Sequence, residues 1–161
     1  MAQQPPPPPP PGTPSAMPGP GARPPGYGGA ATFLIIVGML GILYSLLILA
    51  ASGRVEELLL EAGVAQSDID AATSVLLALG AVLLIVHLGQ VVSGWLLLRS
   101  RARGLAGAMA IIGGVIWLIV LILGLGQGTV DPIGLVMALA AIACAITVPI
   151  LLGRARMAPA A

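Results

Sequence analysis

The chain contains no lysine and has few charged residues of any kind. Charged side chains make up 8% of the 161 residues, and hydrophobic ones make up 58%. A soluble domain usually has about a quarter of its residues charged, so this composition excludes an ordinary soluble fold. Nothing in it resembles a basic surface for nucleic acid. The sequence predicts a protein whose main partner is the lipid bilayer.

Cysteine and histidine each occur once, as Cys144 and His87. A single cysteine excludes an intramolecular disulfide and a cysteine-built zinc site. No Ser/His/Asp set, phosphate-binding glycine loop or metal-ligand spacing is present, so most nucleophilic and metal-based mechanisms lack their parts. We therefore expect no enzymatic activity and no cofactor. Cys144, flanked by small apolar residues, is expected to be a buried small hydrophobe.

Four apolar runs are each long enough to cross a hydrocarbon core of about 30 Å. They lie at about 31–51, 74–98, 104–125 and 132–152. The sequence therefore predicts an all-α fold, a four-helix transmembrane bundle within residues 31–156.

Charges of opposite sign are separated along the chain. All acidic residues lie in 52–72 or 126–132, whereas six of the seven arginines lie elsewhere. Because positive charge is retained on the cytoplasmic side of membranes, the Arg99–Arg103 loop is expected there. Both termini, including the C-terminal tail 157–161, are then cytoplasmic in a multi-pass protein of the cell membrane.

Residues 1–30 form a proline-rich and glycine-rich tail, with an unbroken proline run from Pro5 to Pro11. Such a run favours polyproline II, and too few apolar side chains are present to offset the entropy of ordering. We expect a disordered cytoplasmic arm. Pro24, Pro25 and Tyr27 fit a proline-proline-x-tyrosine ligand pattern, so the tail either binds a partner or is inert and solubilising.

The segment 54–62 has an apolar stripe at helical spacing, and it predicts a short amphipathic helix lying on the outer membrane surface. Gly63 is the expected stop of that helix. Ser67, with Asp70 three residues later, predicts the N-cap of the next helix. The stripe consists of Val55, Leu58, Leu59 and Ala62.

Two local patterns concern the second half of the chain. Ala106, Ala110 and Gly114 recur every four residues and predict a helix-packing face of small side chains. Asp131 followed by Pro132 predicts the N-cap and first residue of the last helix.

The whole arrangement resembles a group of small actinobacterial four-span membrane proteins. The residues that carry the resemblance are Pro5–Pro11, Pro24–Tyr27, the acidic loop Glu56–Asp70 and the basic turn Arg99–Arg103. The resemblance implies the topology, a Pro/Gly/Tyr-rich cytoplasmic tail and a bacterial plasma membrane. It transfers no catalytic residue.

His87, the only histidine of the chain, lies inside a span, and Gln90 and Ser93 follow it on the same helix. Intramembrane ionisable groups are costly and are functional candidates by default. One interpretation is a neutral, hydrogen-bonded histidine with a structural role. The others are interhelical polar contact, a transport track, or haem ligation, which would require a homodimer to supply a second histidine.

The outer carboxylates offer a second candidate site, since Glu57 and Glu61 lie one turn apart and Asp68 and Asp70 follow. Carboxylate oxygens are ligands that divalent cations prefer, but the spacing of a calcium loop is missing. A solvated acidic face that enforces topology is the alternative.

Two functions remain open from the sequence. The first is a non-enzymatic membrane protein that acts by protein–protein association, with the tail as a partner-binding arm and a membrane protein or a second copy as further partner. The second is a small oligomeric transporter or channel component that uses the polar patch around His87.

Overall fold

The computed structural model describes residues 27–99, 101–128 and 131–157, and within these ranges the chain forms four helices and no strand. Each helix is long and apolar enough to cross a membrane. The predicted all-α four-helix transmembrane bundle is therefore confirmed. Residues 1–26 of the predicted tail and residues 158–161 lie outside the described ranges. The helices are α1 (Tyr27–Glu61), α2 (Gln66–Leu98), α3 (Arg103–Gln127) and α4 (Pro132–Met157).

The four helices are arranged as two antiparallel hairpins. The most extensive contacts join α1 to α2 and α3 to α4, while α1 with α4 and α2 with α3 close the bundle. One end of the bundle carries Arg99, Arg101, Arg103 and Arg154, and we call it the arginine end. The opposite end, which carries the α1–α2 turn with its flanking acidic residues Glu56–Asp70, and Asp131, is the acidic end.

The first hairpin is longer than the second. Helix α1 has 35 residues and α3 has 25, so α1 is roughly 15 Å longer at 1.5 Å per residue. The two helices start at the same level, because the Arg103 guanidinium lies 4.5 Å from the centre of the Tyr27 ring. The α1–α2 hairpin therefore extends past α3 and α4 at the acidic end.

The separate surface helix predicted at 54–62 is not present. Helix α1 continues without interruption to Glu61, and Leu58 is 63% exposed instead of docked on the tops of the spans. The prediction was wrong because no proline interrupts the helix near Gly53, so straight continuation keeps its backbone hydrogen bonds. The predicted stop at Gly63 is confirmed, since this residue has φ +72 and closes the helix with bonds to Leu60 O and from Val64 N to Leu59 O.

The two predicted N-caps have opposite outcomes. Asp131 does cap α4, with its Oδ1 accepting a 2.7 Å hydrogen bond from the backbone N–H of Gly134. Ser67 does not cap α2, which has Ala65 at its N-cap and no side-chain cap bond. The reason is that Gln66 occupies the first turn and donates to Asp70 Oδ1 at 2.9 Å, so the predicted reciprocal pair does not form.

The buried residues form two clusters along the bundle axis. The cluster in the arginine half contains Ala30, Ala31, Leu34, Ala106, Ala110 and Cys144. The cluster in the acidic half contains Leu83, Trp117, Met137, Ala138 and Ala141. The first cluster contains four alanines, and an indole is the largest side chain of the second.

Candidate functional site

One polar or aromatic side chain from each helical segment meets along the axis of the acidic half. The four residues are Tyr44 on α1, His87 on α2, Trp117 on α3 and Asp131 at the start of α4, and we call them the polar column. The Tyr44 hydroxyl donates to Asp131 Oδ2 at 3.1 Å. The Tyr44 and Trp117 ring centres are 5.3 Å apart, and Trp117 Nε1 donates to His87 Nε2 at 3.2 Å.

His87 is completely buried at the inner end of this column. An indole N–H only donates, so His87 Nε2 accepts from Trp117 and the ring proton lies on Nδ1. That nitrogen is 2.6 Å from the carbonyl oxygen of Leu83 and donates to it. Both ring nitrogens are thus occupied in a neutral tautomer. This geometry is compatible with two of the interpretations left open by the sequence, a neutral hydrogen-bonded histidine and an interhelical polar contact.

Glycines on α1 make room for His87. A Cβ at Gly41 would overlap the imidazole ring. One turn earlier, a Cβ at Gly38 would lie 2.7 Å from Val91 Cγ2 and 3.0 Å from the backbone oxygen of His87. Because lipid offers no hydrophobic drive for association, helices in membranes depend on such close backbone approach.

Gln90 and Ser93 do not share hydrogen-bond partners with His87. Gln90 Nε2 donates to the backbone oxygen of Met109 at 3.4 Å and fills the space above Gly113, where a Cβ would overlap it. Its Oε1 has no hydrogen-bond partner among the described residues. Ser93 donates back to the Gln90 carbonyl of its own helix at 3.0 Å. The three side chains share α2 and are buried, but these bonds do not connect them into one track.

The small-residue face is used inside the bundle. Ala106, Ala110 and Gly114 are all buried, and a Cβ at Gly114 would overlap Ala145 Cβ on α4. The face therefore packs α3 against α4 of the same chain. Cys144 belongs to the same buried cluster as Ala106 and Ala110.

Helix α1 begins inside the predicted proline-proline-x-tyrosine motif. Tyr27 is the first residue of α1 and is 2% exposed, and Arg103 lies over its ring. Pro24 and Pro25 lie outside the described residues. The tyrosine of the motif is therefore part of the buried core of the arginine half.

The acidic loop does not assemble ligands for a metal. Glu57, Glu61, Asp68 and Asp70 are exposed. Across the described ranges, no group of three or more His, Cys, Asp or Glu side chains is placed to hold a metal ion.

A cavity of about 470 Å³ lies beside the polar column in the acidic half. Its lining comes from all four helices. Val75 and Leu123 line it and are 65% and 59% exposed, so the cavity reaches the surface on the side of α2 and α3. Tyr44, Asp131 and Gln127 are its polar side chains. Its apolar walls include Ile48, Leu76, Leu79, Val120 and Leu121.

Sequence reasoning did not single out Tyr44, Trp117 or Asp131 as site residues. A signal for Trp117 was available. The chain has two tryptophans, and Trp117 lies in the middle of a span although indoles prefer the membrane interface. A buried indole N–H needs an acceptor, and His87 is the only imidazole in the chain.

Comparison with known proteins finds no matching family model, no matching curated protein and no matching solved structure. Any function assigned to this chain therefore rests on its sequence and on the geometry of the bundle.

Proposed function

We propose that this multi-pass membrane protein is not an enzyme and acts by protein–protein association, with the proline-rich tail as a partner-binding arm. The observation that supports the proposal is the attachment of the tail. Tyr27 is 2% exposed, and the Arg103 guanidinium lies 4.5 Å above its ring. A cation over an aromatic face is attractive, so the arm leaves the bundle from a fixed point at the arginine end.

The orientation that this function needs has the arginine end in the cytoplasm. Arginine in short loops is retained on the cytoplasmic side, and the acidic loop then faces outward. A second contact supports an interfacial position for this end, because the Arg99 guanidinium lies 3.7 Å above the ring of the half-exposed Trp95. Tryptophan and arginine together suit the headgroup region.

Affinity capture from native membranes tests the arm. The full chain is compared with a chain lacking residues 1–25 and with a chain in which residues 1–25 are shuffled at constant composition. We expect specific partners to be captured by the full chain only. If all three chains capture the same proteins, the tail is not a partner-binding arm.

The alternative function, an oligomeric transporter using His87, has one supporting observation, which is the buried Gln90 Oε1 that lacks a partner among the described residues. Against it, both nitrogens of His87 are already occupied. Ion or proton flux into sealed vesicles, with wild type compared with His87→Gln, distinguishes the two. Transport through His87 requires a flux that the variant loses.

A further inference from the structure

The cavity in the acidic half combines apolar walls with a single carboxylate. Asp131 Oδ1 accepts from the Gly134 N–H and Oδ2 accepts from the Tyr44 hydroxyl. No arginine lines the cavity as the structure describes it. Because a carboxylate has about four acceptor sites, Asp131 retains capacity for another partner. Among the described residues, no base forms an ion pair with it.

The net charge of the acidic end is negative, as is that of Asp131. Its two segments carry all six carboxylates of the chain and only one arginine, Arg54. A surface of one sign raises the local concentration of counter-ions, and a cavity with apolar walls strengthens the attraction. The end therefore attracts cations and repels anions.

Aromatic rings bound the same cavity. Tyr44 is half-buried and lines it, and Trp117, which is 1% exposed, packs against Tyr44 with the two ring planes inclined at 51°. Aromatic faces attract cations that have shed part of their hydration. The volume of about 470 Å³ is that of a site for one small molecule.

We propose that this cavity binds a lipophilic cation, a compact apolar body that carries one positive charge. The charge lies between Asp131 and the half-buried ring of Tyr44, and the apolar groups contact Leu79 and Val120. Since the cavity reaches the surface on the side of α2 and α3, the ligand enters from the lipid or from the acidic face. This site is independent of the tail and of its proposed partners.

Fluorescence of Trp117 provides a direct test. Trp95→Phe leaves Trp117 as the only indole of the chain, and this residue lines the cavity. The protein in lipid nanodiscs is titrated with tetraphenylphosphonium and, separately, with tetraphenylborate, which has nearly the same shape and the opposite charge. We expect a saturable change with the cation and only non-saturable partitioning with the anion. A saturable change with both ions, or with neither, overturns the proposal.

Two variants test the position of the ligand. Asp131→Asn keeps the cap of α4 and removes the charge, and we expect binding at least about tenfold weaker, which corresponds to ~1.4 kcal/mol. Glu57→Gln is the matched control, since it removes one carboxylate from the same end but does not line the cavity. Val120→Phe reduces the cavity volume and should weaken binding without loss of charge. Equal affinities for Asp131→Asn and Glu57→Gln contradict the site, and deletion of residues 1–25 should leave the titration unchanged.

Discussion

The two halves of this bundle differ in the size of the side chains that lie at the contacts between helices. In the arginine half, completely buried alanines such as Ala30, Ala31, Ala106 and Ala110 line the helix contacts. In the acidic half the central side chains are Trp117 and Tyr44, and a cavity lies beside them. Since lipid tails are as apolar as the helices, close approach of helices comes from small residues. The rings of the acidic half leave a cavity between the helices.

A polar side chain, His87, is buried at the boundary between the two halves. Gly41 admits the imidazole of His87, and Trp117 then donates to it. A histidine in hydrocarbon is tolerated when its polar atoms are paired inside the protein. The comparison therefore predicts that changes in side-chain volume are severe at the boundary and in the arginine half, and mild around the cavity.

The largest effect is expected for Gly41→Ala. Its methyl group would overlap the His87 ring, which is held by two hydrogen bonds, so the free energy of unfolding should fall by about 1–3 kcal/mol or more. The matched control on the same helix is Gly53→Ala, where no atom lies within 4 Å of the added methyl. Reversible denaturation in detergent micelles measures both. Equal stability of the two variants would mean that α1 does not pack closely on His87.

A pair of enlarging substitutions on one face of α3 compares the two halves directly. Ala106 and Val120 are fourteen residues apart, close to four helical turns, and so point in nearly the same direction. Ala106→Leu should destabilise by about 1–3 kcal/mol because its site is completely buried among close helices. Val120→Phe should change stability by less than about 1 kcal/mol because the ring enters the cavity. Similar losses for both would remove the distinction between the halves.

The bond between Trp117 and His87 is expected to contribute less. A double-mutant cycle with Trp117→Phe and His87→Leu should give a coupling free energy of about 0.6 kcal/mol, and at most ~1.7, as for other interhelical hydrogen bonds in membranes. Trp95→Phe, at a half-exposed indole away from the column, should show no coupling to His87→Leu. A coupling of zero at Trp117 would show that this bond does not hold the imidazole, leaving packing and the Leu83 carbonyl to do so.

The smallest effect is expected for Tyr44→Phe. The hydroxyl bond to Asp131 is exposed, so its loss should cost less than about 1 kcal/mol. Tyr44→Leu should cost more, because the contact between the Tyr44 and Trp117 rings is also lost. Thermal denaturation of the two variants measures the difference. If phenylalanine destabilised as much as leucine, the hydroxyl would matter more than the ring.

Local features of the fold were predictable from the sequence. Each span is a run of apolar residues, and both the stop at Gly63 and the cap at Asp131 depend on a few neighbouring residues. The Ala106, Ala110 and Gly114 face was recognisable as a packing surface for the same reason. The helix that packs against this face could not be predicted, because the spacing of small residues does not indicate their partner. In the structure the face packs on α4.

The straight course of α1 and the polar column were not predictable. An apolar stripe at 54–62 fits a helix on the membrane as well as the continuation of a span, and a single sequence does not say which. In the polar column, Tyr44 contacts Asp131 and Trp117 contacts His87, in each case across different helices. These contacts depend on the rotation and axial shift of each helix, which hydropathy does not encode.

Cysteine accessibility is the most direct test of an open acidic half and a closed arginine half. In a Cys144→Ala background, single cysteines replace Ala106 or Val120, and sealed vesicles of each orientation are treated with a small, membrane-impermeant thiosulfonate. We expect Val120→Cys to react when the reagent is on the acidic side, and Ala106→Cys to be unreactive from either side, since position 106 is 0% exposed. Reaction of Ala106→Cys as fast as Val120→Cys, or reaction of Val120→Cys only from the arginine side, would contradict the account.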